Sequence, residues 1–206
     1  NPGRLAQRAW AHLGHNRRGG GQLGCASGAD YVLFMDADDT LVPQSGFSWP
    51  ALDADQYQIG LRLGSLQYER TMLVSTRLAW RWTGVLHEYP EATPPAVTSQ
   101  QLDGIYVLSA CEGARSKDPD KYKKDAALLR DALVREPGNA RYGFYLAQSV
   151  RDAGDLLAAL KAYRHRVTMG GWIEEHWRAA LEVARLEERL GNPLATVQQS
   201  YLAAFE

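Results

Sequence analysis

Three carboxylates stand within four residues at Asp36-Ala37-Asp38-Asp39, and the apolar run Tyr31-Val32-Leu33-Phe34-Met35 leads straight into them. Carboxylates set this close repel one another unless a cation sits among them. A hard divalent ion, Mg2+ or Mn2+, suits their oxygens and bridges to a diphosphate. A strand that delivers such a triplet at its C-terminal end puts it where open α/β sheets hold their ligands. The competing reading is a solvated acidic turn that closes a strand. A second constellation runs from Trp80 through Arg81-Trp82-Thr83-Gly84-Val85-Leu86 to His87-Glu88-Tyr89. Its aromatic side chains offer apolar faces for a sugar ring, beside a His-Glu pair that can serve as metal ligand or base. In a regular strand His87 and Glu88 would point to opposite faces. One site can use both only if the segment is a loop or bulge, which Gly84 permits.

Two chemistries use the acidic string. In a haloacid-dehalogenase-type phosphatase Asp36 is the nucleophile and Asp38 the general acid, with Thr40 and Leu41 completing the pattern. In a nucleotide-sugar glycosyltransferase the triplet holds the metal that binds the donor diphosphate. The string alone does not separate them. The rest of the chain weakens the phosphatase, because a helical pattern fills the sequence after residue 116, where a downstream acidic pair would be needed.

The elements that must position these groups change character near residue 116. Before it, Tyr31 to Met35, Tyr57 to Leu63, Leu66 to Val74 and Ile105 to Leu108 read as strands, broken by Gly and Pro. Gly19-Gly20-Gly21 predicts a flexible loop, since each glycine inside a helix costs about 1 kcal/mol relative to Ala. After Ser116 the spacing is helical. Ser116 or Asp118 is the expected cap, with Pro119 in the first turn, and further helices are expected over about 140–152, 155–168, 173–190 and from 194 onward. Gly154-Asp155 with Ala158, Ala162 and Tyr163 is echoed 37 residues later by Gly191-Asn192, Ala195 and Tyr201. A helix-turn-helix unit recurring at about 34 residues is the tetratricopeptide signature, so these helices read as tetratricopeptide-like. Such units stack to bury their apolar faces.

The 23 basic and 24 acidic side chains leave a net charge of −1, which gives no global attraction for nucleic acid. No apolar run approaches the roughly 20 residues of a membrane span, and the start lacks a secretory signal pattern. The expected location is cytoplasmic. Cys25 and Cys111 lie far apart and read as small buried side chains rather than a disulfide or zinc site. His12, His15, His165 and His176 read as surface or packing residues. The start at Asn1 without Met and the helical pattern running to the last residues predict a fragment, incomplete at the N-terminus.

Gly14-His15-Asn16-Arg17, the run Ala29 to Leu41 and the run Trp80 to Tyr89 together resemble bacterial family 2 glycosyltransferases. Arg141 to Ser149, Arg151 to Asp155 and Gly170 to Glu175 resemble the tetratricopeptide-like extension of one branch of that family. The resemblance implies a partial GT-A-like α/β catalytic domain over 1–113 and an all-α tetratricopeptide-like domain over 114–206. It implies an enzyme that transfers a sugar from a nucleotide-diphosphate donor, with Mg2+ or Mn2+ and inversion at the anomeric carbon. On that reading Asp36 contacts the donor nucleotide or its metal, Asp38 is the chief metal ligand, and Asp39 orients the donor sugar or supports the metal site. His87 is a second metal ligand or an acceptor contact, and Glu88 or His87 is the base. Trp82 stacks on the acceptor, and Arg115 with Lys117 neutralises the diphosphate. The helical domain would hold a peptide, protein or glycan acceptor. The rival is a helical interaction module beside an inactive catalytic remnant.

Overall fold

The computed structural model describes residues 6, 7, 9, 13–96, 98–110, 115 and 117–205. It is mixed α/β and divides into two compact units, Asn1–Lys117 and Asp118–Glu206. The expected boundary at 113/114 lies outside the described residues, as do His12, Cys111 and Ser116. No helix among the described residues is long and apolar enough to cross a membrane.

In the first unit helix α1 (Leu13–Cys25) precedes strands β1 (Tyr31–Leu33), β2 (Asp39–Pro43), β3 (Gln56–Leu63), β4 (Leu66–Ser75), β5 (Ala79–Thr83), β6 (Tyr89–Thr93) and β7 (Ser99–Ser109). Five strands form one sheet in the order β1-β4-β3-β7-β2, while β5 and β6 form a separate antiparallel pair. Only β3 and β7 run parallel within the large sheet. Ile59, Leu61, Met72, Leu73, Leu102, Ile105 and Val107 make its core.

The order forces the sheet to curl. β1 and β2 occupy its two edges, about 19 Å apart in a flat sheet with strands spaced ~4.8 Å. The chain must cross from Leu33 to Asp39. Asp39 N–H donates to the Asp36 carbonyl at 3.1 Å, closing a turn. Such a turn spans under about 7 Å, so the whole crossing reaches at most about 17 Å even with its other residues fully extended. The two edges therefore bend toward each other at the acidic string.

The glycine run is helical rather than the expected loop. A Cβ on Gly24 would lie 2.7 Å from Val32 Cγ2, and one on Gly21 would lie 3.1 Å from Phe34 Cζ. These glycines let α1 approach β1 more closely than any side chain would allow, and this tertiary contact outweighs their poor helix propensity. Cys25, the last residue of α1, is exposed rather than buried.

The second unit packs α2 (Lys121–Arg135), α3 (Ala140–Asp152), α4 (Leu156–Val167), α5 (Ile173–Arg189) and α6 (Leu194–Ala203), each helix against its neighbours in sequence. The cap of α2 differs from expectation. Asp120 holds the N-cap position without a side-chain cap bond, its carboxylate accepting instead from Lys123 Nζ at 3.1 Å, while Asp118 accepts from the Asp120 N–H at 3.0 Å and from Lys124 Nζ at 2.6 Å. Gly154 and Gly191, the echoed glycines, both adopt left-handed backbone, with φ of 93° and 71°. Elsewhere Asn139 and Asp155 cap α3 and α4 through their side chains. Of the histidines expected in surface or packing roles, His165 is exposed and His176 half-buried.

Helix α5 buries three glutamates, each met by arginines. Glu175 takes Arg141 at 2.8 Å, Glu182 takes Arg151 at 2.8 Å with Arg178 and Arg185 beside it, and Glu187 takes Arg164 at 2.6 Å. Burial alone would push the Glu182 carboxyl up, but the hydrogen bond from Arg151 and its neighbouring guanidinium groups outweigh burial and hold it below the ordinary range.

Gly24→Ala destabilises the first unit by about 1–3 kcal/mol through overpacking, whereas Gly20→Ala, which meets nothing within 4 Å, stabilises it by up to about 1 kcal/mol; hydrogen exchange across α1 reads both. Because the folded Glu182 carboxyl is depressed, its stabilising contribution is complete above pH ~4.3 and drains away as pH falls below that value. Glu182→Gln costs the helical unit about 3 kcal/mol at neutral pH and flattens this part of its acid unfolding curve, followed by circular dichroism at 222 nm.

Candidate active site

The first functional side chains come from the turn that joins the sheet edges. β1 is apolar and pairs with β4, and Phe34 N–H extends that pairing by donating to the Met72 carbonyl at 2.8 Å. The chain then turns over Asp36 to Asp39. Asp36 N–H donates back to Asp39 Oδ2 at 3.3 Å, so the turn is closed at both ends. The Asp36 side chain remains 41% exposed.

The second set comes from the loop between β5 and β6. Gly84 sits at φ 108°, and a Cβ there would lie 3.2 Å from the Leu86 carbonyl oxygen and 3.3 Å from Glu88 Cα. Only glycine fits so tight a reversal. His87 is left-handed at φ 51°, a conformation uncommon outside glycine. The loop that the shared use of His87 and Glu88 requires is therefore present. Its outcome is asymmetric, since Glu88 is buried and His87 exposed.

Arg17 of α1 joins the two sets. Its Nη2 donates to Asp36 Oδ1, and its Nη1 pairs with Glu88 Oε1 at 3.0 Å. The Arg17 side chain is 16% exposed and that of Glu88 4%. The guanidinium lies 4.9 Å above the Trp82 ring, and Trp82 meets Phe34 edge-to-face with centroids 4.9 Å apart. Trp82 is 5% exposed, so its ring carries Arg17 and Phe34. Arg17 thus supplies positive charge among these carboxylates.

Two buried polar atoms here have no hydrogen-bond partner among the described residues, Asp39 Oδ1 and Trp82 Nε1. A buried acceptor left unpaired costs about 1–3 kcal/mol, more when charged. No group of three or more His, Cys, Asp or Glu suited to a metal occurs among the described residues. A magnesium-type ion, however, is commonly held by one or two carboxylates, with phosphate and water completing its shell. The unpaired Asp39 oxygen beside Asp38 fits that donor set.

A small hollow of about 10 Å³ is lined by Arg17, Asp36, Asp39, Arg70 and Trp82 among others. That is room for one water-sized group, so a larger substrate would lie on the exposed side of Asp36. Arg70, on β4, lines the hollow and makes no ion pair among the described residues. Arg115 and Lys117 are exposed.

Asp36, Asp39, Trp82 and Glu88 are thus brought together around Arg17, while His87 faces solvent. Sequence reasoning gave neither Arg17 nor Arg70 a role. For Arg17 a signal existed, since Arg17, Gly21 and Gly24 share one helical face. No family model matches the chain, and no curated protein does either.

Arg17→Ala leaves the Glu88 carboxylate buried without its cation and destabilises the first unit by about 3 kcal/mol. Arg17→Lys recovers only part of this, because an ammonium lacks the fork that reaches two carboxylates at once. Amide exchange in β1 and β5 measures the loss, and protection equal to wild type in Arg17→Ala would contradict it.

Proposed function

We propose that this chain carries the donor-side chemistry of a metal-dependent glycosyltransferase of the GT-A type, passing a sugar from a nucleotide diphosphate to an acceptor hydroxyl with inversion. The observation that supports it is the meeting of the Asp36 turn and the Glu88 loop on a single guanidinium, which brings a metal-type carboxylate set and a candidate base to one place. Asp38 and Asp39 would hold Mg2+ or Mn2+, which when bound offsets the charge that develops on the leaving diphosphate. Asp36, fixed by Arg17, borders the donor. Arg70 is a nearer cation for the diphosphate than the exposed Arg115. Glu88 has one oxygen held by Arg17 and leaves Oε2 to take the proton of the acceptor hydroxyl. The hydroxyl oxygen then bonds to the anomeric carbon as the bond from that carbon to the diphosphate oxygen breaks. His87, which is exposed, would contact the acceptor.

For the second unit the proposal is a tetratricopeptide-like module that holds the acceptor, whether peptide, protein or glycan. The matching left-handed Gly154 and Gly191 support the repeat, and the exposed Trp172, Ile173 and Trp177 on and before α5 favour a partner.

Calorimetric titration of UDP, with and without Mn2+, into wild type and Asp38→Ala tests the first part. Metal-dependent binding that disappears in the variant is expected. No binding to either protein leaves the interaction module as the function. Turnover of p-nitrophenyl phosphate abolished by Asp36→Asn would replace the transferase with the phosphatase.

A further inference from the structure

A cavity of about 280 Å³ opens between β3, β4 and β7, near the lower end of the roughly 300–1,000 Å³ range of small-molecule sites. Gly60 and Arg62 alternate with the buried Ile59 and Leu61 along β3, so they lie on the face turned away from the core. Register adds Glu69 of β4 and Tyr106 of β7, both paired with Gly60. β7 widens the space. Gln58 pairs with Gln101 and Gly60 with Tyr106, so the single residue Ile59 faces four residues of β7 in a large bulge. Gly104, at φ 78°, turns that bulge, and Asp103 stands on it. Bulges are over-represented next to active sites, where they re-aim side chains.

Gly60 borders this bulge. Its φ is not left-handed, and a Cβ built on it would meet nothing closer than Tyr106 Cβ at 3.9 Å. Neither backbone strain nor packing excludes a larger residue. A glycine inside a strand weakens it, and often marks a bulge, as here, or close approach by a ligand or another backbone.

The walls carry unspent hydrogen-bonding capacity. Arg62, Glu69, Gln101 and Asp103 make no side-chain hydrogen bond or ion pair among the described residues. Arg62 instead lies 3.7 Å above the Tyr106 ring, which holds its donors in place with little rotamer freedom left to lose on binding. One cation against two carboxylates disfavours a phosphate or carboxylate ligand, and the polar walls disfavour an apolar one. Donors and acceptors side by side match hydroxyl groups, each of which donates and accepts.

We propose that this cavity binds a short neutral saccharide. It lies at the far end of the β2–β7 pairing from the acidic turn, since Asp39 pairs with Ser109 but Pro43 with Ile105, a run of about 14 Å. The inference therefore does not depend on a working donor site.

The full chain, labelled with 15N, is titrated with maltose, cellobiose, lactose and N,N′-diacetylchitobiose, with UDP and inorganic phosphate as controls. At least one disaccharide shifts the amides of Gly60, Gly104 and Tyr106. Its Kd rises about tenfold or more in Gly60→Leu, which fills the floor, and in Glu69→Ala, a change at an exposed position that leaves the fold intact should Gly60→Leu not fold. The proposal is overturned if none of the four disaccharides shifts these amides, if phosphate or UDP shifts them in place of sugar, or if Glu69→Ala binds as wild type does.

Discussion

A single guanidinium governs the first unit. Arg17 satisfies a carboxylate on the turn between the sheet edges and another, almost wholly buried, in the β5–β6 loop. A buried carboxylate without a cation is too costly to keep charged, so the position of Glu88 presupposes the position of Arg17. Arg17 in turn reaches that point only because α1 lies tight on β1, and the helix lies tight because Gly21 and Gly24 present no side chain there. The chain of dependence runs from two missing methyl groups to the spacing of the candidate site.

The acidic turn serves the architecture as much as the chemistry. It is the short connection between strands on opposite edges of the sheet, so the curl that it enforces also fixes how its own carboxylates are presented. Asp36 ends on the open side, while one oxygen of Asp39 is turned inward. The β5–β6 loop works by the opposite means. There crowding around Gly84 and the left-handed His87 reverse the chain within a few residues, and the reversal separates a buried Glu88 from an exposed His87.

The parts legible in the sequence were those whose signals are local. The junctions between the helices of the second unit carry Gly, Pro or Asn, and the helix starts and stops fall within a few residues of expectation. β3 and β4 announce themselves through apolar and β-branched runs. What stayed hidden depended on distant partners. β2 follows directly on an acidic string and ends at a proline, so the short Thr40-Leu41-Val42 run between them is too brief to read as a strand without its pairing with β7. The glycine run of α1 reads as a loop until Val32 and Phe34 are seen against it. The two acidic motifs were visible as chemistry, but the arginine that joins them was not, because its one local trace, the face it shares with Gly21 and Gly24, becomes a signal only once the glycine run is known to be helical.

The glutamates of α5 have a consequence beyond their stabilising effect. Apolar helix faces tolerate sliding, since leucine packs against leucine at many offsets. Glu175, Glu182 and Glu187 remove that tolerance, because each meets an arginine from α3 or α4 at a set height along the helix. Shifting α5 by one residue would strand all three charges together in a buried setting. The pairs thus act as a lock-and-notch alignment, giving the stack one permitted offset where grease alone would allow several.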